Sequence, residues 1–238
     1  RADTPTPTIS HSVVHKKATA GIMITASHNA PRYNGVKLKA SYGGSATPAQ
    51  NKRVEYLLDR NLETVHGPNL MDLEDAVKQG LVNKFDPAWA YYEHLSTLID
   101  LDVISSGELR VVADGMYGSG RGAIGEVLAR GRSRVHNIRH EMNPGFGGIH
   151  PEPIAKHLGM LMSTIQGGHW DVGLATDGDA DRIGAVDARG EFVDPHRIFA
   201  LVLRYLIEKR GWTGKVVRTV ATTRMVDRIA ADHGLPLV

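Results

Sequence analysis

The residues of this sequence with the most distinctive chemistry are three aspartates at alternate positions, Asp177, Asp179 and Asp181, which follow a short apolar segment. In an extended loop, side chains two residues apart point to the same side, so these carboxylates can converge on one point. They repel one another unless a metal ion or protons neutralise them. Oxygen ligands suit magnesium, manganese or calcium rather than zinc. The spacing therefore predicts a divalent-cation site.

The acidic triplet has two other interpretations. An EF-hand loop also carries acidic residues at positions one, three and five, but it needs glycine at position six and glutamate at position twelve. This chain has Arg182 and Ala188 there, so the EF-hand interpretation fails. An ordinary solvated acidic turn stays open when the triplet is considered alone.

A second polar loop, residues 25–35 (TASHNAPRYNG), brings together hydroxyl, imidazole and amide groups, with Lys37 just beyond it. This composition is typical of phosphate chemistry. Ser27 is not the nucleophile elbow of an α/β-hydrolase, since that motif needs glycine two positions to either side and this chain has Thr25 and Asn29. A plain Ser/Asn turn is the alternative.

Both loops follow predicted strands. The apolar residues 21–25 predict a buried strand, and residues 36–40 its returning partner. Beyond residue 107, predicted strands alternate with helices: strands at 110–113, 134–138 and 171–175, helices at 121–129 and 154–165. This order predicts an α/β fold with a mainly parallel sheet, and it places the acidic loop at the carboxyl end of a strand.

The remaining segments continue the pattern. Residues 183–186 and 191–193 predict a hairpin, and Asp194 with Pro195 predicts the start of a helix that ends at Gly211. A strand at 215–220, a helix at 223–233 and an apolar strand at 235–238 are expected to begin a new unit.

Composition excludes several classes of function. The chain has 238 residues, 42% of them hydrophobic, and a formal net charge of +2, so we expect a sizeable core and neither a nucleic-acid nor a membrane partner. The longest apolar run, 198–207, is too short to span a bilayer and contains Arg204. Cysteine is absent, which fits a reducing compartment, and we expect a cytoplasmic location.

Two clusters of basic residues are predicted to be solvated. His11 and His15 lie one helical turn apart, but no third ligand is in register, so a metal pair is disfavoured. The densest arginine cluster is also expected to face solvent; its members are Arg130, Arg132, Arg134 and Arg139.

Taken together, the two polar loops resemble the α-D-phosphohexomutases, the phosphoglucomutase and phosphomannomutase family. The family's phosphoserine loop reads Thr-Ala-Ser-His-Asn-Pro and is followed by Asn-Gly-x-Lys. Here residues 25–29 match, Ala30 is inserted before Pro31, and residues 34–37 supply the second part. The Pro-Glu-Pro run at 151–153 resembles the family's second-domain signature.

The resemblance implies successive α/β/α sandwich domains with mainly parallel mixed sheets, in an incomplete multi-domain mutase. Residues 1–102 would be the C-terminal part of the first domain with the phosphoserine loop, 103–211 the second domain with the metal loop, and 212–238 the start of the third. Family members have four domains, so we expect the 238-residue chain to be inactive by itself.

The resemblance also implies a site and a reaction. Ser27 would be the phosphorylated serine and a metal ligand. The other assigned residues are the Mg²⁺ ligands Asp177, Asp179 and Asp181, and the catalytic neighbours His28, Lys37 and Arg182. The implied reaction interconverts hexose 1-phosphate and hexose 6-phosphate through phosphoserine and a sugar bisphosphate, which is also the activator. Thr25 favours glucose or mannose phosphate over glucosamine phosphate, while the division of proton transfer between His28 and Lys37 stays open.

Two alternative functions remain. Residues 118–123 fit the G-x-G-x-x-A dinucleotide fingerprint, with Glu141 at a suitable distance. However, residues 114–117 separate the strand from the first glycine, where a tight turn is needed, so a structural turn is favoured. The other alternative is a non-catalytic α/β domain that binds a metal and anions.

Overall fold

The computed structural model describes residues 3–65, 67–129 and 131–238. The first part of the chain is mainly helical and contains one pair of strands. Its elements are α1 (Thr6–His15), β1 (Ala20–Ile24), β2 (Val36–Ala40), α2 (Pro48–Glu63), α3 (Leu73–Lys78), α4 (Ala88–Leu98) and α5 (Leu101–Ser106).

The second part alternates strands and helices. Its elements are β3 (Arg110–Asp114), α6 (Ala123–Leu128), β4 (Arg134–Ile138), α7 (Gly159–Gln166), β5 (Val172–Thr176), β6 (Ile183–Asp187), β7 (Phe192–Val193), α8 (Pro195–Glu208) and α9 (Met225–Asp232). Short 3-10 turns at Phe146–Gly148 and Ala155–His157 precede α7.

The sheets confirm the predicted α/β fold class. β1 and β2 form an antiparallel pair, and the other strands form a five-stranded mixed sheet in the order β4-β3-β5-β6-β7. β3 pairs in parallel with both β4 and β5, whereas β5, β6 and β7 pair antiparallel. The parallel part brings the carboxyl ends of β3 and β5 to the same edge, where the loops that follow them meet.

The main core lies between α7 and the five-stranded sheet. It consists of fully or nearly fully buried side chains from β3, β4, β5, β6 and α7 and the segments next to them: Val112, Met116, Ile138, Leu158, Leu161, Ile165, Ala175 and Val186. Four of the five residues of β3 are buried, as expected for a strand with neighbours on both sides. This core fixes the strand ends that carry the polar loops.

The start of α8 is built as predicted. The Asp194 carboxylate accepts hydrogen bonds from the backbone N–H groups of His196 and Arg197 at 3.0 and 3.2 Å, and Pro195 is the first helical residue. No helix in the described ranges is both long enough and apolar enough to cross a bilayer.

Three local predictions were wrong. β1 is not a buried strand, because Ile22 and Ile24 are 64% and 58% exposed. The segments at 215–220 and 235–238 do not form strands but meet in one isolated parallel bridge, Val216 to Leu237. The two segments run parallel, and parallel pairing is less stable per residue than the antiparallel pairing of β1 with β2. The predicted helix at 154–165 is divided at Leu158 into a 3-10 turn and α7.

The prediction that the basic clusters face solvent is wrong for His11 and Arg139, whereas His15, Arg132 and Arg134 are exposed. His11 is half-buried and its ring stacks on those of His15 and His94, with centroid distances of 5.4 and 4.8 Å. Burial and the two neighbouring imidazoles lower the pKa of His11. Arg139 is buried and paired with Asp114, whereas Arg130 lies outside the described residues.

Candidate active site

The two polar loops predicted from the sequence lie against each other. The Ser27 loop is closed at its base by the hydrogen bond from Thr25 N to Gly35 O, 3.0 Å. Gly178 in the acidic loop sits directly on it: a Cβ at this position would lie 2.3 Å from Ser27 O and 3.1 Å from Pro151 Cγ. Only glycine permits this approach, so the acidic loop and the serine loop form one site.

The three aspartates converge as their spacing predicts. One carboxylate oxygen from each of Asp177, Asp179 and Asp181 lies within 4.8 Å of the others. Asp177 and Asp179 are buried, and Asp181 is at the surface. The Asp177 Oδ1 atom accepts hydrogen bonds from the backbone N–H groups of Asp181 and Arg182, both at 3.0 Å. These bonds curl the loop around its own first carboxylate.

Asp179 has one satisfied and one unsatisfied oxygen. Its Oδ2 accepts from Thr6 Oγ1 and from Lys37 Nζ, each at 2.7 Å, and Lys37 Nζ also donates to Asp181 Oδ2 at 3.1 Å. Its Oδ1 is buried without a hydrogen-bond partner among the described residues. A buried polar atom in this state is costly. Three convergent carboxylates with an unsatisfied oxygen fit an oxygen-liganded divalent cation such as Mg²⁺.

The electrostatics of the cluster follow from burial and from its own charges. Burial raises the pKa of Asp177 to about 6, and the neighbouring carboxylates of Asp179 and Asp181 add to this effect. The backbone hydrogen bonds that Asp177 accepts act in the opposite direction and lower the pKa. Burial opposes ionisation of Asp179, but the hydrogen bonds from Lys37 and Thr6 and the charge of Lys37 outweigh it and lower the pKa. Burial likewise opposes the charge of Lys37, whose pKa is nevertheless raised by its bonds to the two carboxylates. The site thus concentrates negative charge around Lys37, the cation that is hydrogen-bonded to two of the carboxylates.

Ser27 points its hydroxyl at the acidic cluster. Its Oγ lies 3.4 Å from Asp177 Oδ2 and 3.5 Å from His28 Nδ1. The residue has a φ of 55°, the left-handed conformation that is uncommon outside glycine. The backbone N–H of Ser27 donates to Thr25 Oγ1 at 2.8 Å and holds this turn. Backbone strain of this kind clusters at functional sites.

The other two predicted catalytic residues occupy the rim. Lys37 lies between Asp179 and Asp181, as described above. Arg182 Nε is 4.0 Å from both Asp177 Oδ2 and Asp181 Oδ1, and the side chain is about half exposed. All seven predicted site residues are therefore brought together around the acidic loop.

Two neighbours of the site were missed from the sequence. Glu152 Oε1 lies 4.0 Å from His28 Nε2, so a carboxylate stands on the side of the imidazole away from Ser27. Its signal was the Pro-Glu-Pro run, which pointed to a family but not to a contact. Thr6, the hydrogen-bond donor to Asp179, carried no signal because it lies 173 residues from its partner.

Three family models match the chain in sequence order. All describe phosphoglucomutase/phosphomannomutase: alpha/beta/alpha domain I matches residues 3–64, domain II 89–190 and domain III 194–238. The chain belongs to this family. The boundaries predicted from the sequence, after residues 102 and 211, remain predictions.

The relatives that match this chain are named for different sugars. A "probable phosphoglucosamine mutase" of Pyrococcus furiosus is 36% identical, and the match covers 97% of this chain and 48% of the relative. The crystal structure of a "putative phosphomannomutase" from Thermus thermophilus has a TM-score of 0.88 at 33% identity and covers 99% of this chain and 51% of that one. The chain thus spans about half the length of the relatives it matches.

A more distant structure shares the fold alone. The N-acetylphosphoglucosamine mutase of Aspergillus fumigatus, solved in complex with GlcNAc-6P and magnesium, has a TM-score of 0.55 at 18% identity. The match covers 98% of this chain and 59% of that one.

The glycines of the apparent dinucleotide fingerprint have a structural role in this chain. A Cβ at Gly118 would lie 2.7 and 2.8 Å from the backbone oxygens of Gly178 and Asp177, and one at Gly120 would lie 2.6 Å from Thr176 Oγ1. The acidic loop therefore occupies the space that these glycines leave free. This agrees with the structural turn favoured from the sequence.

Proposed function

We propose that this chain carries the phosphoserine and metal-binding loops of a Mg²⁺-dependent phosphohexomutase that interconverts hexose 1-phosphates and hexose 6-phosphates. The observation that carries the proposal is the meeting of Ser27 with the acidic loop. The serine hydroxyl lies 3.4 Å from Asp177 Oδ2, beside a cluster in which a buried oxygen of Asp179 has no partner among the described residues.

The proposed ion site consists of Asp177, Asp179, Asp181 and an oxygen of Ser27. A phosphoserine carries a charge of roughly −1.5 to −2, which the three carboxylates would repel. When bound, Mg²⁺ supplies the positive charge that offsets this repulsion and draws charge from the phosphoryl oxygens. Arg182, at the edge of the cluster, steadies the carboxylates rather than contacting the sugar.

Ser27 acts as the phosphoryl carrier. A sugar hydroxyl loses its proton as its oxygen forms the new bond to phosphorus, the bond from phosphorus to Ser27 Oγ breaks, and Ser27 Oγ takes up a proton. In the return transfer, Ser27 Oγ gives its proton up and attacks the other phosphate of the sugar bisphosphate, the bond from that phosphorus to the sugar oxygen breaks, and the sugar oxygen takes up a proton. His28 Nδ1, 3.5 Å from Ser27 Oγ, is the group placed to exchange the proton of Ser27, with Glu152 behind it. Lys37 contributes charge through its bonds to Asp179 and Asp181.

The proposed substrates are glucose or mannose phosphate, with a sugar bisphosphate as activator. The Thr25 hydroxyl is used inside the loop, where it accepts from Ser27 N, so its preference for a particular sugar is indirect. Relatives named for glucosamine and for mannose both match, and glucosamine phosphate is therefore included in the assay below. A cytoplasmic location remains a prediction.

The test of the carrier is Ser27→Ala in the native gene product, assayed with magnesium, a sugar bisphosphate and each of the three hexose 1-phosphates. We expect turnover to fall to background, because the other hydroxyl described at the cluster, that of Thr6, is buried and donates to Asp179. The fold, measured by circular dichroism, should be kept. Ser45→Ala, which removes an exposed hydroxyl outside the site, is the matched control and should keep wild-type turnover. Near-normal turnover by Ser27→Ala would move the carrier elsewhere.

The test of the ion site is Asp179→Asn, measured by calorimetric titration of the 238-residue chain with Mg²⁺. Replacing the charged oxygen by an amide should weaken binding at least about tenfold, in line with the loss of one of three anionic ligands. Asp171→Asn, an exposed aspartate paired with Arg110, should leave the affinity unchanged. Equal affinities for wild type and Asp179→Asn would contradict the proposed site.

A further inference from the structure

We propose that Thr6 is a positioning residue for the metal loop, whose hydroxyl fixes the carboxylate of Asp179 so that its other oxygen faces the cation. The inference rests on the ion site of the proposed function and assigns a role to a residue far from both chemical loops in sequence. Thr6 contacts neither sugar nor phosphate in this role; it acts through Asp179.

Thr6 holds Asp179 at two points. Thr6 Oγ1 donates to Asp179 Oδ2 at 2.7 Å, and Thr6 N donates to Asp179 O at 2.9 Å. Both residues are buried, at 3% and 1% exposure, so water does not compete for these bonds. Thr6 is the first residue of α1, where a backbone N–H has no partner within the helix and is free for such a contact.

The contact decides which way the carboxylate is turned. A carboxylate can rotate about its terminal bond, which has a broad energy profile. With Oδ2 held by Thr6 and by Lys37, Oδ1 is left buried and unpartnered among the described residues. Residues that orient a metal ligand from behind in this way typically change metal affinity 10–100-fold when they are replaced.

The two donors to Asp179 Oδ2 differ in charge, and this sets Thr6 apart. An ammonium group close to a divalent cation is repelled by it, so the contribution of Lys37 weakens as the ion binds. The Thr6 hydroxyl is neutral and loses nothing. Among the described residues, Thr6 is therefore the neutral side-chain donor to Asp179 Oδ2, and its hydrogen bond does not weaken as the ion binds.

The experiment compares Thr6→Val with Thr6→Ser by calorimetric titration of the 238-residue chain with Mg²⁺, and by electron paramagnetic resonance with Mn²⁺. Valine keeps the shape and the backbone bond to Asp179 O but removes the hydroxyl. We expect Thr6→Val to weaken Mg²⁺ binding at least about tenfold and Thr6→Ser to restore it. Thr8→Val is the matched control, because Thr8 is equally buried on the same helix and has no hydrogen bond to residues 177–182 among the described contacts.

Melting temperatures of the metal-free proteins, measured alongside, separate loss of fold from loss of orientation. Thr6→Ala replaces Thr6→Val if the valine variant does not fold, with the same expectation. Wild-type affinity in a folded Thr6→Val or Thr6→Ala protein would overturn the inference, as would a Thr6→Ser variant that binds as weakly as Thr6→Val. If the wild-type chain binds neither ion, the ion site itself is wrong and Thr6 loses its assigned role with it.

Discussion

At the scale of single residues, the chemistry depends on a contact between two loops that are distant in sequence. Ser27 Oγ and Asp177 Oδ2 approach to 3.4 Å across a separation of 150 residues. Gly178 makes this approach possible, since its backbone lies on that of Ser27 and it also donates to Pro151 O at 3.1 Å. The absence of a side chain at this position is thus as much a part of the site as the aspartates beside it.

Gly178→Ala is expected to separate the loops. The added methyl group would lie 2.3 Å from the Ser27 carbonyl oxygen, a backbone atom that cannot turn aside as a flexible side chain can. Overpacking of this kind costs about 1–3 kcal/mol of unfolding free energy, and we expect weaker Mg²⁺ binding as well. Chemical unfolding and calorimetry measure the two effects.

The control for this variant is Gly159→Ala. Gly159 begins α7, and a Cβ there would meet nothing within 4 Å, so the methyl group should be tolerated with unchanged ion affinity. A Gly178→Ala protein as stable as the wild type, with the same affinity, would show that the loops have room to adjust.

The sequence predicted the site residues whose types and spacing are themselves unusual. The alternate aspartates could be recognised without the structure, because a period of two residues already places carboxylates on one side. The serine loop could be recognised from its residue types. Glu152 and Thr6 could not be found in this way. Their roles arise from contacts with His28 and Asp179, made across the fold by residue types that are common in ordinary turns and helix starts.

At the scale of elements, the end of β3, the strand beside the one that leads into the acidic loop, is tied to its surroundings by a buried ion pair. Asp114, the last residue of β3, accepts a hydrogen bond from Arg139 Nε at 2.8 Å and a second one from Arg139 Nη2. The same carboxylate accepts from Met116 N at 2.9 Å, and Arg139 Nη1 donates to His157 O at 3.2 Å. The pair thus joins the end of β3 to the segments after β4 and before α7.

Arg139→Met is expected to destabilise the protein by about 3–5 kcal/mol, because it leaves the Asp114 carboxylate buried without its counter-charge. Urea unfolding of the purified chain measures the change. Arg110→Met removes an arginine from an exposed pair with Asp171 at the other end of β3 and should have little effect, since exposed pairs contribute little. If the two variants were equally stable, the buried pair would not be what holds these segments.

Elements followed the sequence where local signals and long-range packing agreed. β4 and the start of α8 lie where they were predicted, since strand and cap signals coincide with burial and hydrogen bonding there. The burial predicted for Ile22 and Ile24 was wrong. An apolar run indicates a tendency to be buried but does not show whether another layer of the fold covers it. The solvent exposure predicted for Arg139 was also wrong. Clustered arginines are exposed on average, and the sequence does not show that one of them pairs with the buried Asp114.

At the scale of the whole molecule, the matches to domains I, II and III place the two chemical loops on successive units of one family architecture. The matched relatives are about twice as long as this chain. A mutase must hold one sugar in two opposed poses and must grip the phosphate that is not being transferred. Contacts of that kind need surfaces in addition to the serine loop and the acidic loop.

We therefore expect that a protein made of these 238 residues alone does not interconvert hexose phosphates, although it binds Mg²⁺ at the acidic loop. Positioning of the reacting groups lowers a reaction barrier by roughly 7–11 kcal/mol, and a loss of that size takes turnover below detection.

The measurement is a coupled assay with glucose 1-phosphate, magnesium and a sugar bisphosphate, run beside the full-length Thermus relative. Calorimetry on the same sample shows whether the ion site is intact. Turnover within an order of magnitude of the relative would mean that the surfaces needed to hold the sugar already lie within residues 1–238. We expect ion binding without turnover. This result would show that residues 1–238 form the ion site that stabilises a phosphoryl group, whereas orienting the sugar that accepts this group needs further surfaces.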